Sequence, residues 1–370
     1  MILNSIDSKY MRIAIKLAKK GEGKVNPNPL VGAVIVKKGE IISKGYHRGY
    51  GQLHAERDAL NRCIEDPNGA TMYVTLEPCC HHGKNPPCTD AIIESGIKKV
   101  VVGSNDPNPL VMGRGFEILK EKGIDVVNNF LKDECDELND VFFHFIKNKT
   151  PYVVMKYAMT IDGKIATSSG KSKWITNEKS RYNVHLDRNK YSAIMVGIGT
   201  VMKDDPMLDC RIDGGRNPIR IICDSHLRIS ENSKIVKTAK RNRTIIVTKC
   251  RENKKIEILK KKGCEILLDN SIEKKIDLNW LMNALGSMEI DSILLEGGSQ
   301  LNWSALNSGI VNKVQAYISP KIFAGENSPT PISGAGILEP SESIKLVNVR
   351  IRNFDEDFLI EGEMKKCLQE

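Results

Sequence analysis

The sequence predicts an α/β protein of two consecutive domains, and three observations predict it. Its 370 residues exceed what one core usually serves, since domains commonly run to roughly 150 residues. Short apolar runs alternate with helix-period segments in both halves, the pattern of strands connected by helices. Between the halves, Lys147 to Pro151 is a polar stretch closing on proline, which breaks the alternation and places a boundary there. Residues 1–147 and 152–370 are the two domains expected. At 41% hydrophobic the chain is too apolar for disorder. Its longest apolar run, Leu30 to Val36, is far shorter than the roughly 18 residues of a membrane span. The opening residues Asn4, Ser5, Asp7 and Lys9 lack the basic-then-apolar order of an export signal, so the expected location is the cytoplasm. Its ten cysteines are then expected as thiols or metal ligands rather than disulfides.

Taken in order, Ser8 to Lys20 carries Met11, Ile15 and Ala18 at helical spacing and stops at Gly21. The loop Asn26-Pro27-Asn28-Pro29 leads into the strand Leu30 to Val36. Lys37 to Glu40 turns the chain back as Ile41 to Tyr46, a hairpin. A helix fits His54 to Ile64, a strand Thr71 to Leu76 and a helix Thr89 to Ser95. Strand Lys99 to Val102, the turn-rich Asn105 to Pro109, a helix near Phe116 to Lys122 and a strand at Ile124 to Val127 follow. The second half restarts with Tyr152 to Lys156. Further strand-like runs are Ala193 to Val196, Ile219 to Cys223, Thr244 to Val247, Glu265 to Leu268, Ser292 to Leu295 and Val314 to Ile318. Helical stretches between most of them indicate a largely parallel sheet.

Charge narrows the function classes. The net charge of +9 matches the excess of one segment, residues 228–275, with 15 basic and 6 acidic side chains. That segment contains no Phe, Trp or Tyr, whereas grooves for nucleic acid interleave cations with stacking aromatics. A solvated face explains it better.

Chemistry concentrates in His54-Ala55-Glu56, Pro78-Cys79-Cys80-His81-His82 and Cys88. Zinc favours imidazole nitrogen and thiolate sulfur, and catalytic sites use three protein ligands with a fourth position left for water. A histidine followed two residues later by glutamate, with a downstream Pro-Cys, is the pattern of zinc deaminases, in which the glutamate moves protons and does not bind metal. Two residues apart on a regular helix face different ways, so the pair is expected at a helix entry. A closed structural site built from Cys79, Cys80, His82 and Cys88 is the alternative, and the usual two-residue cysteine spacing would nominate His82. In the second half, Gly197-Ile198-Gly199 and Gly297-Gly298-Ser299 follow apolar runs. A glycine turn opening a helix presents backbone N–H groups to phosphate, although neither has the ordinary dinucleotide fingerprint.

Thr75 to Asp90, with Pro27-Asn28-Pro29 and Val31-Gly32-Ala33, resembles the deaminase half of the bifunctional riboflavin-biosynthesis deaminase–reductase family. Asp162-Gly163-Lys164, Ser172-Lys173-Trp174, Gly197 to Pro206 and Glu296 to Ser299 resemble its reductase half. The resemblance covers about Tyr10 to Gly362. It implies a cytidine-deaminase-like α/β/α sandwich followed by a dihydrofolate-reductase-like α/β domain. By the same resemblance His54, Cys79 and Cys88 hold zinc and Glu56 moves protons. Here eight residues separate the two cysteines, a departure from the general spacing. Asn28, His47 and Lys84 match positions that meet the deaminase substrate. Ser172, Arg188, Leu208, Arg211 and Glu296 match those that meet the reductase substrate. Ala158, Trp174, Thr200, Asp204, Ser225 and the run Gly298, Ser299, Gln300, Leu301, Asn302, Trp303, Ser304 match those that line NADPH. The implied function is hydrolytic removal of the 2-amino group of a diaminopyrimidinone ribosylamino phosphate, then reduction of its ribosyl to a ribityl chain. A small-molecule substrate, a homo-oligomer and no membrane or nucleic-acid partner are expected. The competing readings are a deaminase of nucleic-acid bases with an appended binding domain, and a zinc-stabilised protein without catalysis. The residues assign no role to Lys156, Asp162 or the basic segment.

Overall fold

In strand β1 (Gly32–Lys37) the side chains of Ala33 and Ile35 enter one core, and those of Val34 and Val36 another. A strand buried on both faces reads as an unbroken apolar run because residues alternate between two cores. This is a computed structural model describing residues 5–81, 86–109 and 111–365, in units Met1–Lys149 and Thr150–Glu370. No helix among the described residues is long and apolar enough to cross a membrane.

The first unit contains helix α1 (Ser5–Ala18), β1, β2 (Glu40–Tyr46), α2 (Ala55–Leu60), β3 (Thr71–Leu76) and α3 (Cys88–Glu94). It continues with β4 (Lys99–Ser104), α4 (Arg114–Glu121), β5 (Asp125–Val127), α5 (Lys132–Asp136) and α6 (Asp140–Asn148). Its sheet runs β2-β1-β3-β4-β5, antiparallel as far as β3 and parallel beyond. Met11, Ala14 and Ile15 of α1 cover one face; Ala55 and Ala59 of α2, Ile92 of α3 and Leu119 of α4 cover the other. Two glycines set how closely the helices approach. A Cβ on Gly32 would lie 2.0 Å from the Ala14 carbonyl oxygen, and one on Gly45 would lie 2.3 Å from the Ala59 nitrogen.

The chain differs from expectation in three places. The helix expected from His54 to Ile64 ends at Leu60, because the Ile64 N–H bonds the Ile42 carbonyl at 3.3 Å and pulls the chain onto β2. Helices α5 and α6 were not anticipated, since their acidic and aromatic composition carries no clear start signal. The second unit also ends in an unanticipated hairpin.

That unit contains β6 (Tyr152–Thr160), α7 (Glu178–Lys190), β7 (Ala193–Gly197), α8 (Ile198–Asp204), β8 (Ile219–Cys223), α9 (Lys234–Lys237), β9 (Thr244–Thr248) and α10 (Asn253–Lys261). There follow β10 (Glu265–Leu268), α11 (Leu278–Ser287), β11 (Ser292–Leu295), α12 (Ser299–Asn307), β12 (Val311–Ser319), β13 (Leu346–Phe354) and β14 (Asp357–Met364). The strand order is β10-β9-β8-β7-β11-β6-β12-β14-β13. All pairs are parallel through β12, and the hairpin β13–β14 adds the antiparallel edge. Most of β13 is exposed, so its residues lack the apolar run by which the other strands were found.

Arg220 is fully buried in β8. Its guanidinium donates to Thr244 Oγ1 at 2.7 Å, Thr238 Oγ1 at 2.8 Å and the carbonyls of Asn242, Ile235 and Met207 at 2.9, 3.0 and 3.3 Å. It thus ties the connections around β8 and β9 together with neutral acceptors. Truncation would leave these acceptors buried without a donor. Arg220→Ala is expected to cost about 3 kcal/mol. Urea unfolding followed by tryptophan fluorescence reads it directly, because Trp174, Trp280 and Trp303 all belong to this unit.

Candidate metal centre and cofactor cavity

Helix α2 is seated by a buried carboxylate. Asp58 accepts from the Tyr46 N–H at 3.2 Å, from Arg48 at 3.1 Å and from Arg62 at 2.9 Å. With Gly45 permitting close approach, this fixes the start of α2, where His54 is the capping residue and Glu56 the second helical residue. Arg57, next along the helix, donates to the carbonyls of Pro86 and Pro87 at 3.2 and 2.7 Å. That holds the segment entering α3, whose first residue is Cys88.

The three donors converge. His54 Nδ1 lies 3.4 Å from both Cys79 Sγ and Cys88 Sγ, and all three ligand atoms lie within 4.8 Å of one another. Zinc bonds of about 2.1 Å to nitrogen and 2.3 Å to sulfur at tetrahedral angles separate donors by roughly 3.6–3.8 Å. The set therefore fits a zinc ion. Cys80 does not join it, and His82, like the expected substrate residue Lys84, lies outside the described residues. Cys88 first, and His54 with it, hold the Cys79 thiol down to about 4, and Cys79 in turn raises the His54 ring. Negative charge thus gathers where a dication would bind. Glu56 is 4% exposed. Burial, reinforced by the Cys79 charge, pushes its carboxyl up to about 7, the range in which a group both takes and returns protons.

A cavity of about 330 Å³ opens on this cluster, lined by Asn28, His47, His54, Glu56 and Cys79. His47 is buried; its Nδ1 lies 2.9 Å from the Leu53 carbonyl and its Nε2 lies 3.1 Å from Asn28 Nδ2. Burial lowers its pKa. A neutral ring, protonated on Nδ1 and accepting from Asn28, satisfies both contacts. Asn139 grips the loop after Asn28, accepting from the Leu30 N–H at 2.8 Å and donating to its carbonyl at 3.0 Å. Asp106 and Asn108 also line this cavity, and sequence reading took them only as part of a turn. Their position after β4, at the carboxyl end of a parallel strand, was the available signal. Glu77 braces that turn, accepting from the N–H groups of Asp106 and Gly113 at 3.3 and 3.2 Å.

The second unit holds a cavity of about 740 Å³, within the range of cofactor sites. Gly298, Ser299, Gln300, Leu301 and Ser304 line it along one side of α12, with Thr200, Asp204, Ser225, Ser172 and Glu296 around it. A dinucleotide fits this cradle, since a Cβ on Gly298 would meet nothing closer than Thr200 Oγ1 at 3.5 Å. Asn302 and Trp303 face away from it. Asn302 donates to the Pro331 carbonyl at 2.9 Å, and Trp303 packs against Gly334. Ala158 packs beside the core of Val184, Tyr317 and Leu359. Trp174, 62% exposed, lies under the Arg181 guanidinium at 4.5 Å. Leu208 is buried in the core with Ile194 and Val196, which leaves its backbone as the part free to meet a ligand.

Glu296 is enclosed by cations. Arg188 donates to its two oxygens at 2.8 and 3.1 Å, and Lys156 Nζ lies 3.7 Å away. Against the cost of burial, Arg188 first and then Lys156 hold its carboxyl down to about 2. Arg188 also donates to the Asp209 carbonyl, and the exposed Arg211 pairs with the Asp209 carboxylate at 3.0 Å. Asp162 accepts from the N–H groups of Phe323 and Ala324 at 3.3 and 2.8 Å, and so braces a loop.

Residues 4–104 match the family model described as the cytidine and deoxycytidylate deaminase zinc-binding region. Residues 151–360 match that of the RibD C-terminal domain. The chain is 54% identical to the riboflavin biosynthesis protein RibD of Actinobacillus pleuropneumoniae, over 96% of this chain and 94% of that protein. To that of Aquifex aeolicus it is 44% identical, over 97% and 99%. It is similar to the crystal structure of a diaminohydroxyphosphoribosylaminopyrimidine deaminase/5-amino-6-(5-phosphoribosylamino)uracil reductase from Thermotoga maritima, with TM-score 0.86 and 41% identity over 98% and 99% of the two chains.

Beside Arg188, the half-buried Asp187 has its Oδ2 shut off from solvent with no hydrogen-bond partner among the described residues, and desolvation pushes its carboxyl up to about 6. Its folded value exceeds the unfolded value of about 3.9. Its stabilising contribution is therefore present below pH 4 and lost as pH rises through 6. Asp187→Asn is expected to exceed the parent protein in stability by about 2 kcal/mol at pH 8, a gap that closes by pH 4. Urea midpoints measured across that range check it.

Proposed function

This chain belongs to the family of the riboflavin biosynthesis protein RibD, and on that premise we propose which residues carry out its two reactions. It is a bifunctional enzyme of riboflavin biosynthesis, a zinc-dependent deaminase followed by an NADPH-dependent reductase. Family membership displaces the reading as a deaminase of nucleic-acid bases. The substrate of the first step is 2,5-diamino-6-ribosylamino-4(3H)-pyrimidinone 5′-phosphate, and its product, 5-amino-6-(5-phosphoribosylamino)uracil, is the substrate of the second.

The convergence of His54, Cys79 and Cys88 beside a buried Glu56 carries the deaminase assignment. Zinc held by these three side chains supplies a Lewis acid that brings the deprotonation of water near neutral pH. Glu56, poised at about 7, takes one proton of the attacking water and delivers it to the ring nitrogen, then carries the second proton of that water to the departing amine, releasing ammonia. Asn28 and His47, joined at 3.1 Å, present an amide and a fixed imidazole tautomer to the pyrimidine edge. Lys84 is proposed to meet the same substrate.

In the second unit, NADPH supplies the hydride that reduces the ribosyl carbon. The start of α12, from Ser299 on, lines the cavity, and the backbone N–H groups of a helix start suit the pyrophosphate. Thr200, Asp204 and Ser225 line the remaining cofactor wall. Ser172, Glu296, Arg188 and Arg211 are proposed to meet the sugar substrate, and Leu208 through its backbone. Arg188 and Lys156 keep Glu296 ionised across the physiological range, so Glu296 holds or orients a hydroxyl as an acceptor and not as an acid. The enzyme is proposed to work as a cytoplasmic homo-oligomer, which light scattering of the purified protein checks.

Incubation of zinc-loaded protein with the diaminopyrimidinone phosphate and NADPH should release ammonia first and then consume nicotinamide absorbance. Glu56→Gln is expected to retain zinc and to reduce the uracil intermediate normally, with ammonia release down by at least about 100-fold. Near-normal ammonia release by that variant would remove Glu56 from the mechanism.

A further inference from the structure

Asparagine favours the position just before a helix, where its side chain accepts from the free N–H groups of that helix. Asn139 occupies this position on α6, yet its side chain makes no such bond. The residue is 2% exposed, and its amide is engaged 109 positions away, accepting from the Leu30 N–H at 2.8 Å and donating to the Leu30 carbonyl at 3.0 Å. Two bonds from one planar amide to one residue fix both distance and orientation. Leu30 and Leu138, the residue before Asn139, are buried in the same apolar cluster, so packing and hydrogen bonding act on the same point.

Leu30 is where the loop that carries Asn28 can be held. Pro27 and Pro29 have no N–H to donate, so between residues 27 and 30 only Asn28 and Leu30 offer backbone donors. The Asn28 N–H bonds the Val25 carbonyl at 2.9 Å, and the Leu30 N–H goes to Asn139. One residue on, the Val31 carbonyl accepts from the His47 N–H at 3.0 Å. The Asn28 and His47 side chains, which meet at 3.1 Å, are therefore carried by backbone anchored on both sides of Asn28. The helix that supplies one anchor also walls the cavity. Phe142, Phe145 and Ile146, on one face of α6, line it together with Asn28, whereas Asn139 does not itself line it.

We propose that Asn139 is a positioning residue of the deaminase reaction: by clamping Leu30 to the start of α6, it holds the Asn28 amide against the His47 ring, where the pair meets the pyrimidine edge. The inference rests on the reading of Asn28 as a substrate contact and deepens it. Asn139 acts through Asn28 and not on the substrate. Small displacements of a group that orients a substrate are costly, reaching about 100-fold for roughly 1 Å. Contacts to the pyrimidine edge form in the bound substrate as well as in the transition state, so loosening them raises KM and leaves kcat nearly unchanged.

Asn139→Ser separates the clamp from the helix, because serine caps a helix start well but lacks the amide's fixed pair of donor and acceptor. Ammonia release from the diaminopyrimidinone phosphate is followed on the full-length, zinc-loaded protein without NADPH, so that only the first reaction runs. Asn139→Ser is expected to raise KM about tenfold, to leave kcat within about threefold and to keep its zinc. Asn28→Ala should raise KM by itself, and in that background Asn139→Ser should add less than about twofold, since a clamp acts through the side chain it positions. Full additivity of the two substitutions overturns the proposal, because a general loosening of the unit would not depend on Asn28. An unchanged KM in Asn139→Ser overturns it as well, as does loss of zinc or a fall confined to kcat. Should Asn139→Ser fold poorly, Asn139→Asp, equal in size and able to accept from the Leu30 N–H, goes through the same comparison and is judged by the same outcomes. An unchanged KM in Asn28→Ala overturns the reading of Asn28 as a substrate contact, and the inference with it, a result distinct from the others.

Discussion

The deaminase unit depends on how closely helix α2 lies against the sheet. Gly45 leaves room for the helix backbone, and Asp58 draws α2 onto the end of β2 through the Tyr46 N–H and two arginines. Only with the helix held there do one imidazole and two sulfurs meet over a few ångströms. Polar groups this buried are favourable only when the whole set is satisfied. The metal therefore belongs to the stability of the unit as much as to its chemistry. Arg57 extends the same logic, because its bonds to the Pro86 and Pro87 carbonyls couple the histidine-bearing helix to the cysteine-bearing one.

The reductase unit solves a different problem, keeping a carboxylate charged where water is scarce. Burial alone pushes the Glu296 carboxyl up, and Arg188 and Lys156 reverse that shift. Burying such a group is costly in itself, and pairing offsets that cost without guaranteeing a net gain in stability. Its position after β11, beside a glycine turn that opens α12, is where open parallel sheets generally bind ligands. Asp187, one residue before Arg188, shows the contrast. It is likewise half-buried, has weaker compensation and is pushed toward its neutral form.

The sequence was most legible where both faces of a strand are buried. Thr71–Leu76, Ile219–Cys223 and Ser292–Leu295 run between the residues their apolar runs indicate. It was least legible where an element has one wet face or a short span. The hairpin β13–β14 is mostly exposed along its outer strand, and α5 and α6 are short and irregularly apolar. In the sites, the candidate zinc ligands stood out because their side-chain chemistry is specific. Asp106 and Asn108 were missed because acids and amides are ordinary in turns. In the run Gly298 to Ser304, the helical period decides that Asn302 and Trp303 turn toward the 331–334 segment while Ser299 and Leu301 face the cavity.

The amino-acid order alone determined the alternation of strands and helices, the break near Lys147 to Pro151 and the identity of the metal-binding chemistry. Those properties follow from local periodicity and from which atoms a side chain carries. The tertiary structure decided which distant residues share a cavity and which arginines are consumed by carboxylates. Such outcomes depend on strand order and on contacts between residues more than a hundred positions apart, as between Arg188 and Glu296, and no local pattern encodes them.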